Sequence, residues 1–209
     1  MPTLVIETAT AACSVALIEG DRVVARAHEL VWRGHAERLL PMIAELPGGG
    51  RADRILVDCG PGSFTGIRVG IAAARGLALG WGVPASGCSS LALVAAAAFA
   101  ARPELDRVAA VIEGGHGEVF MQAFGTPFLP LGDLVSLAPE AALARLDGRP
   151  AFGSGVARLL AIDSALDAVD ALPDAAEAWR LPPELAALPP RPLYGRAPDA
   201  KVAPGIVGA

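Results

Sequence analysis

The chain has 209 residues, of which 53% are apolar and 19% are charged, and its formal net charge is −5. This apolar content is too high for an intrinsically disordered chain. The 17 basic residues are outnumbered by 22 acidic ones, so the sequence lacks the basic excess expected of a direct nucleic-acid binder. Its length allows one or two domains.

Cysteine usage and the first residues bear on the cellular compartment. Cys13, Cys59 and Cys88 are far apart and odd in number, which argues against a disulfide framework and favours a reducing cytosol. Residues 1–7 contain no basic stretch of the kind that opens a targeting segment. The uncharged stretch 76–101 is long enough to imitate a membrane span, but glycine, proline and serine residues divide it. We therefore expect a cytoplasmic protein with no membrane segment.

Hydrophobic periodicity divides the first half of the chain into short strands and longer helices. Strands are predicted at residues 3–7, 13–19, 22–29, 54–59 and 83–88, and helices at 34–46, 65–79 and from Ser89 or Ser90 to 101. Gly20 and Asp21 provide a hairpin turn between the second and third strands. Pro41 lies inside the first helix, where it removes one backbone hydrogen bond or bends the helix.

The second half gives weaker signals. Strands are predicted at residues 107–112, 118–124 and near 150–153, and helices at 139–146, 155–161 and 174–180. The many prolines from residue 181 onward predict an extended strap without regular structure. This order of elements predicts an α/β layered architecture with a mixed sheet. A break near residue 103 would separate a compact N-terminal unit, 1–103, from a looser unit, 104–209.

Residues 60–70, with the sequence GPGSFTGIRVG, lie between a predicted strand and a predicted helix. A Walker loop would need a lysine after Gly66, and a dinucleotide-binding loop would need glycine where Thr65 stands. A tight strand-to-helix turn with close backbone contact is therefore favoured. The alternative is a phosphate-binding turn at the helix N-terminus, with Glu7 and Thr8 contacting magnesium or phosphate.

The helix after this turn carries small residues at every fourth position: Gly66, Gly70, Ala74 and Ala78. A ridge of small residues allows another backbone to approach closely. The spacing leaves open whether the covering element is the protein's own sheet or a helix of another subunit.

Templates for hydrolytic and metal chemistry are absent. There is no H-E-x-x-H motif, and Leu39 stands four residues after His35, so the first helix presents no paired histidines. A glycine-rich turn containing Glu113, His116 and Glu118 is a poor rigid cage for a metal. G-x-S-x-G is also missing. We expect no catalytic, cofactor or metal site.

Four stretches together resemble the TsaB family of bacterial tRNA threonylcarbamoyladenosine biosynthesis proteins. They are residues 6–17, 35–43, 60–91 and 192–201, and the match over 60–70 is the most specific. The similarity is strong over about residues 3–93 and patchy afterwards. The family usually has Asp where Glu7 stands, and the arginine of its second-lobe pattern is missing from residues 113–120.

The resemblance implies an actin/hexokinase-like (ribonuclease H-like) fold, with mixed sheets and flanking helices in two small lobes. It implies a non-catalytic scaffold that pairs with the larger paralogue TsaD and helps recruit the ATPase TsaE. The lone protein would form a homodimer and meet tRNA only indirectly. The helices at 34–46 and 65–80 would form the pairing surface. The expected contact residues are His35, Leu39, Met42, Ile43, Gly66, Ile67, Gly70, Ala73, Ala74 and Leu77.

Two other functions compete with the scaffold. A stand-alone ATPase or kinase of the actin-like superfamily would use residues 60–66 with Glu7 and Thr8. A peptidase is suggested only by the glycoprotease-like group in which the family was formerly placed, and no nucleophile–base pair supports it.

Overall fold

The structure, a computed structural model, describes residues 1–195. The part of the predicted strap beyond Gly195 and the family similarity at 196–201 lie outside the described residues.

The first sheet has five strands in the order β3-β2-β1-β4-β5. Their bounds are Pro2–Glu7 (β1), Ala12–Glu19 (β2), Arg22–Leu30 (β3), Arg54–Asp58 (β4) and Ala85–Cys88 (β5). β1, β2 and β3 are antiparallel neighbours, whereas β4 and β5 continue the sheet in parallel with β1. β1 and β2 are buried along nearly their whole length, as expected for strands covered on both faces.

The second sheet repeats this plan. Its strands are Arg107–Glu113 (β6), Val119–Gly125 (β7), Leu129–Pro130 (β8), Val135–Leu137 (β9), Ala151–Phe152 (β10) and Ala168–Val169 (β11). The order is β11-β10-β6-β7-β8, and β9 also pairs with β7. β6 and β7 form an antiparallel hairpin, and β10 and β11 extend it in parallel with β6. Each sheet therefore joins an antiparallel hairpin to parallel strands, and the predicted mixed α/β architecture is confirmed.

In the described part of the chain, five α-helices flank the sheets: His35–Glu45 (α1), Phe64–Trp81 (α2), Ser90–Ala101 (α3), Pro139–Leu146 (α4) and Val156–Leu160 (α5). α1 and α2 cover one face of the first sheet, and α4 and α5 cover one face of the second. α3 lies between the sheets and packs with apolar side chains from both. It is buried on nearly every side because its sequence is apolar all round.

The structure differs from prediction mainly near the C-terminus. The predicted helix 174–180 is a 3-10 helix, Ala175–Arg180, and a second 3-10 helix spans Pro183–Ala186. The prediction of no regular structure from 181 onward is therefore wrong at this point, because one helical turn needs few backbone hydrogen bonds and tolerates proline at its start. Residues 188–194, called the strap below, begin at a bridge between Leu188 and Gly87.

The strands β8, β9 and β11 were not predicted. Each has only two or three residues, too few for an alternating pattern to be recognised. The division near residue 103 falls between α3 and β6 and stays a prediction, since α3 packs against both sheets. Within residues 1–195, no helix is both long and apolar enough to cross a membrane.

Candidate partner surface and the cleft beside it

The helix α1 is amphipathic, and its apolar side faces the protein's own core. Leu39, Met42 and Ile43 are buried in the cluster beneath α1 and α2. His35 is also buried, with Nε2 2.9 Å from the carbonyl oxygen of Ala12. That hydrogen bond fixes the start of α1 on the end of the first sheet.

Eight of the ten residues predicted to contact a partner are buried within the chain itself. They are His35, Leu39, Met42, Ile43, Gly66, Ile67, Gly70 and Ala74. Only Ala73 and Leu77 are partly exposed. In the lone chain these eight residues pack against β1, β4 and their neighbours, and the predicted set of partner contacts stays a prediction.

The ridge that begins with Gly66 and Gly70 is covered by the protein's own β1 and the turn after it. A β-carbon on Gly66 would overlap the carbonyl oxygen of Thr8, and one on Gly70 would overlap the Thr8 hydroxyl. Thr8 Oγ1 donates a hydrogen bond of 2.8 Å to the Gly66 carbonyl. These glycines let α2 approach the sheet, which answers the question that the spacing left open.

A second stripe of small residues faces solvent on α2. Ala72, Gly76 and Gly80 recur every fourth residue and are exposed. A β-carbon on Gly76 or on Gly80 would meet no atom within 4 Å. Leu79 lies beside the stripe and is 87% exposed.

α1 packs beside α2 and also has an exposed side. Leu40 is 52% exposed, and Pro41 and Ala44 are also exposed. The outer helical surface is defined by these residues together with the stripe: Leu40, Pro41, Ala44, Ala72, Gly76, Leu79 and Gly80. Exposed apolar surface on two neighbouring helices is typical of an interaction site.

A sequence signal for the outer surface was available. Arg68 and Arg75 carry the charges of α2 and are seven positions apart, so they lie on one side of the helix. Ala72 and Gly76 fall on that same side by the 3.6-residue period. The charged side of a helix faces solvent, and the small residues beside the arginines are therefore the accessible ones.

The turn at residues 60–63 is held closed by the protein itself. A β-carbon on Gly62 would overlap the carbonyl oxygen of Ala9, and the Ser63 N–H donates to that same oxygen at 2.6 Å. Ser63 Oγ caps α2 by accepting a hydrogen bond from the N–H of Gly66. The predicted tight turn with close backbone contact is confirmed.

A cleft of about 1210 Å³ opens between the two sheets, next to the start of α2. Exposed aromatic side chains stand at its mouth, among them Trp32, Phe64 and Tyr194. The Arg68 guanidinium lies 3.4 Å from the centre of the Phe64 ring and donates to the Tyr194 hydroxyl at 3.1 Å. The strap thereby contributes Leu193 and Tyr194 to the lining of the cleft.

The charge of the cleft does not suit a polyphosphate. Its described lining carries three carboxylates, Glu113, Glu118 and Asp170, and a single guanidinium, Arg68. Glu113 is already paired with Arg158. Glu7, which the competing ATPase hypothesis needs, is fully buried and accepts a hydrogen bond from the Ala9 N–H.

Histidine and carboxylate clusters give no metal site in the described part of the chain. Within residues 1–195, no group of three or more His, Cys, Asp or Glu side chains is arranged to hold a metal ion. Glu113, His116 and Glu118 lie at the cleft but do not form such a group.

Comparison with protein families and curated proteins finds related sequences. Residues 27–147 match the family model of TsaD, the tRNA N6-adenosine threonylcarbamoyltransferase. The tRNA threonylcarbamoyladenosine biosynthesis protein TsaB of Haemophilus influenzae is 35% identical over 170 residues, which cover 73% of this chain and 70% of that protein. The TsaB of Escherichia coli is 42% identical over 125 residues, covering 57% of this chain and 53% of that protein.

Solved structures agree with these relatives. YeaZ from Pseudomonas aeruginosa superimposes with a TM-score of 0.76 at 30% identity, over 92% of this chain and 99% of that one. A protein described as similar to peptidase YEAZ, also from Pseudomonas aeruginosa, gives a TM-score of 0.79 at 29% identity, over 93% and 99% of the two chains. The expected actin/hexokinase-like class of fold, with two mixed sheets and flanking helices, is therefore confirmed. By its sequence relatives, its family-model match and its fold, the chain belongs to the TsaB family.

Proposed function

We propose that this chain acts in tRNA threonylcarbamoyladenosine biosynthesis as a non-catalytic scaffold. It pairs through the outer helical surface with TsaD, stabilises that enzyme and helps to recruit the ATPase TsaE. In the absence of TsaD, two copies pair through the same surface. The chain acts in the cytoplasm, and its partner makes the direct contact with tRNA.

The observation that carries this proposal is the exposed small-residue stripe on α2 in a member of the TsaB family. Ala72, Gly76 and Gly80 leave little side chain on this side of α2, and Leu79 on α2 and Leu40 on the neighbouring α1 expose apolar surface. A helix of another subunit can pack closely against such a surface, and packing there would remove both leucines from water.

The cleft supports the non-catalytic part of the proposal. Its described lining carries three carboxylates against one guanidinium, and in the turn at residues 60–63 the Ser63 N–H donates to the Ala9 carbonyl instead of facing a ligand. This arrangement favours a scaffold subunit over an enzyme that binds and transfers phosphate.

The decisive variant is Gly76→Arg. The side chain would project from the outer helical surface without touching its own chain, and replacing glycine within a helix favours folding by about 0.5–1 kcal/mol. We expect Gly76→Arg to fold at least as stably as wild type and to lose co-purification with TsaD from the same organism. A matched control is Ala141→Arg, on an exposed position of α4 in the second sheet's layer.

The same variants also test self-association of the chain and its activity in the complex with TsaD and TsaE. Sedimentation of the lone chain should show a dimer for wild type and Ala141→Arg and a monomer for Gly76→Arg. When TsaD and TsaE are added, wild type and Ala141→Arg should support modification of unmodified tRNA, and Gly76→Arg should not. Full co-purification and full modification with Gly76→Arg would remove the outer helical surface from consideration.

A further inference from the structure

Two buried carboxyl groups lie on neighbouring strands of the first sheet, behind the turns whose residues Ala9 and Ser63 line the cleft. Ile6 of β1 pairs in parallel register with Val57 of β4, so Glu7 and Asp58 follow at the same level on neighbouring strands. Adjacent strands lie about 4.8 Å apart. Since side chains alternate along a strand and Ile6 and Val57 face α1 and α2, Glu7 and Asp58 point together toward the opposite face.

Each carboxyl group is bonded at only one of its oxygens. Glu7 Oε1 accepts from the Ala9 N–H at 2.7 Å. Asp58 Oδ1 accepts from the Gly60 N–H at 2.7 Å and from Ser90 Oγ at 2.8 Å. Glu7 Oε2 and Asp58 Oδ2 are fully buried and have no hydrogen-bond partner among the described residues. A buried oxygen without a hydrogen-bond partner is costly, and here one stands on each of two neighbouring strands.

We propose that Glu7 and Asp58 hold one proton between them at neutral pH, the acid of one group donating a hydrogen bond to the carboxylate of the other. One proton satisfies both unpartnered oxygens and removes the repulsion between two buried charges. No other ligand is needed, and no bond other than O–H changes when the proton leaves.

This shared proton ties together the two turns that position α2. Glu7 binds the backbone of the turn after β1, and Asp58 binds the backbone of the turn after β4. The turn after β1 also bonds the start of α2. Thr8 Oγ1 donates to the Gly66 carbonyl, and the Ala9 carbonyl accepts from the Ser63 N–H. Loss of the proton places two negative charges between these turns and loosens the base of α2.

The direction of the pKa shifts agrees with this geometry. Burial raises the pKa of Glu7 well above its ordinary value, and the neighbouring Asp58 charge raises it further, against the lowering effect of the Ala9 and Thr10 N–H groups. Burial raises the pKa of Asp58 to about 7, although hydrogen bonds from Ser90 and from the Gly60 N–H oppose the change.

Other titratable groups also face the pair. Asp174, which precedes the first 3-10 helix of the C-terminal region, adds a weaker negative charge near Glu7. The thiols of Cys13, Cys59 and Cys88 also interact electrostatically with the carboxyl groups. Burial, with the carboxylate charges adding to it, raises the pKa of each thiol, so the thiols are neutral in the folded protein near neutral pH.

The sign of the pH dependence follows from these shifts. The folded chain keeps a proton over a pH range in which the same carboxyl groups of the unfolded chain, with a pKa of roughly 4, are ionised. The contribution of the pair to stability is therefore complete below about pH 4 and declines as the pH rises through the raised folded pKa values. Within that range, the unfolding equilibrium constant increases by up to about tenfold per pH unit for each proton involved.

The test is urea unfolding of the full chain between about pH 5 and about pH 8.5. Asp58→Asn places an amide N–H where the shared proton lies, so its unfolding constant should depend less steeply on pH than that of wild type. Glu7→Gln should do the same from the other side. Asp53→Asn, an exposed aspartate next to β4, is the matched control and should retain the wild-type slope.

A second measurement needs no variant to fold. The infrared spectrum of the wild-type protein near neutral pH should contain the carbonyl stretch of a protonated buried carboxyl group, and the band should vanish at alkaline pH. Absence of that band would overturn the proposal. So would a wild-type stability that rises with pH over the same range, or one that Mg²⁺ or Mn²⁺ increases at high pH, since a cation would then replace the proton.

Discussion

Gly70 of α2 lies so close to Thr8 that a β-carbon at position 70 would overlap the Thr8 hydroxyl. The Thr8 hydroxyl cannot easily move, since it bonds the Gly66 carbonyl one turn earlier on the same helix. Gly70 is thus a packing residue of the first sheet, and it differs in role from Gly76, which faces solvent two turns later.

The contrast between the two glycines gives a first prediction. Gly70→Ala should destabilise the chain by about 1–3 kcal/mol, because the added methyl group forces the helix away from β1. Gly76→Ala should stabilise it by about 0.5–1 kcal/mol through helix propensity alone. Urea unfolding followed by circular dichroism measures both. Similar effects for the two variants would contradict the placement of α2 on the sheet.

Two neighbouring leucines on α1 provide a second prediction. Leu39 is 1% exposed and Leu40 is 52% exposed. Leu39→Ala should cost about 2–5 kcal/mol of unfolding free energy, since it leaves a cavity under α1. Leu40→Ala should change stability by less than about 0.5 kcal/mol and should weaken pairing with TsaD. Thermal unfolding and a pull-down measure the two effects, and a Leu40→Ala protein that pairs normally would narrow the proposed surface to α2.

The sequence allowed most of the first sheet and its helices to be predicted. Alternation and apolar runs place β1 to β5, α1, α2 and α3 within a few residues of their observed bounds. The tight turn at residues 60–63 could also be predicted, because its glycines fit neither phosphate-binding template.

The exposed side of α2 is what the sequence reading missed. Both sides of this helix carry small residues, so the ridge from Gly66 to Ala78 and the stripe from Ala72 to Gly80 look alike as spacings. The positions of Arg68 and Arg75 distinguish them, since an arginine side chain is almost never fully buried unless it is paired. The Glu7–Asp58 pair was equally hidden, because only the parallel register of β1 and β4 brings two residues so far apart in sequence together.

Acid should weaken the attachment of the C-terminal region at Asp174. Burial alone would raise the pKa of Asp174, but hydrogen bonds from His28, the Ala176 N–H and Ser14 outweigh burial and leave it lowered. The stabilisation by Asp174 is therefore present above the carboxyl pKa of the unfolded chain and is lost as the pH falls through the lowered folded value.

The corresponding variant is Asp174→Ala. It removes the cap of the 3-10 helix Ala175–Arg180 and a partner of Ser14 Oγ, so we expect a loss of about 1–2 kcal/mol near neutral pH. The difference from wild type should shrink in acid when unfolding is compared across pH. Asp170→Ala, at an exposed position four residues earlier, is the control. A difference that grows in acid would show that the Asp174 carboxylate does not stabilise the fold.

The strap should protect the Cys59 thiol. Leu193 N–H donates to the Cys59 carbonyl at 2.8 Å, and Leu188 exchanges two backbone hydrogen bonds with Gly87 on the neighbouring strand. All three cysteines are buried, and burial, with the Asp58 charge adding to it, raises the pKa of Cys59 to about 12. A thiol that is both covered and protonated reacts slowly with disulfide reagents.

Removing the strap should therefore make one cysteine reactive and leave two protected. A chain ending after Ala187 should be labelled by a thiol reagent faster than wild type, and mass spectrometry should locate the label at Cys59 rather than at Cys13 or Cys88. A chain ending after Gly195 keeps the strap and should label as slowly as wild type. Mass spectrometry identifies the labelled residue, so general unfolding would be recognised by equal labelling of all three cysteines. That result would contradict the prediction, because it would mean that the strap stabilises the whole fold instead of covering one strand end.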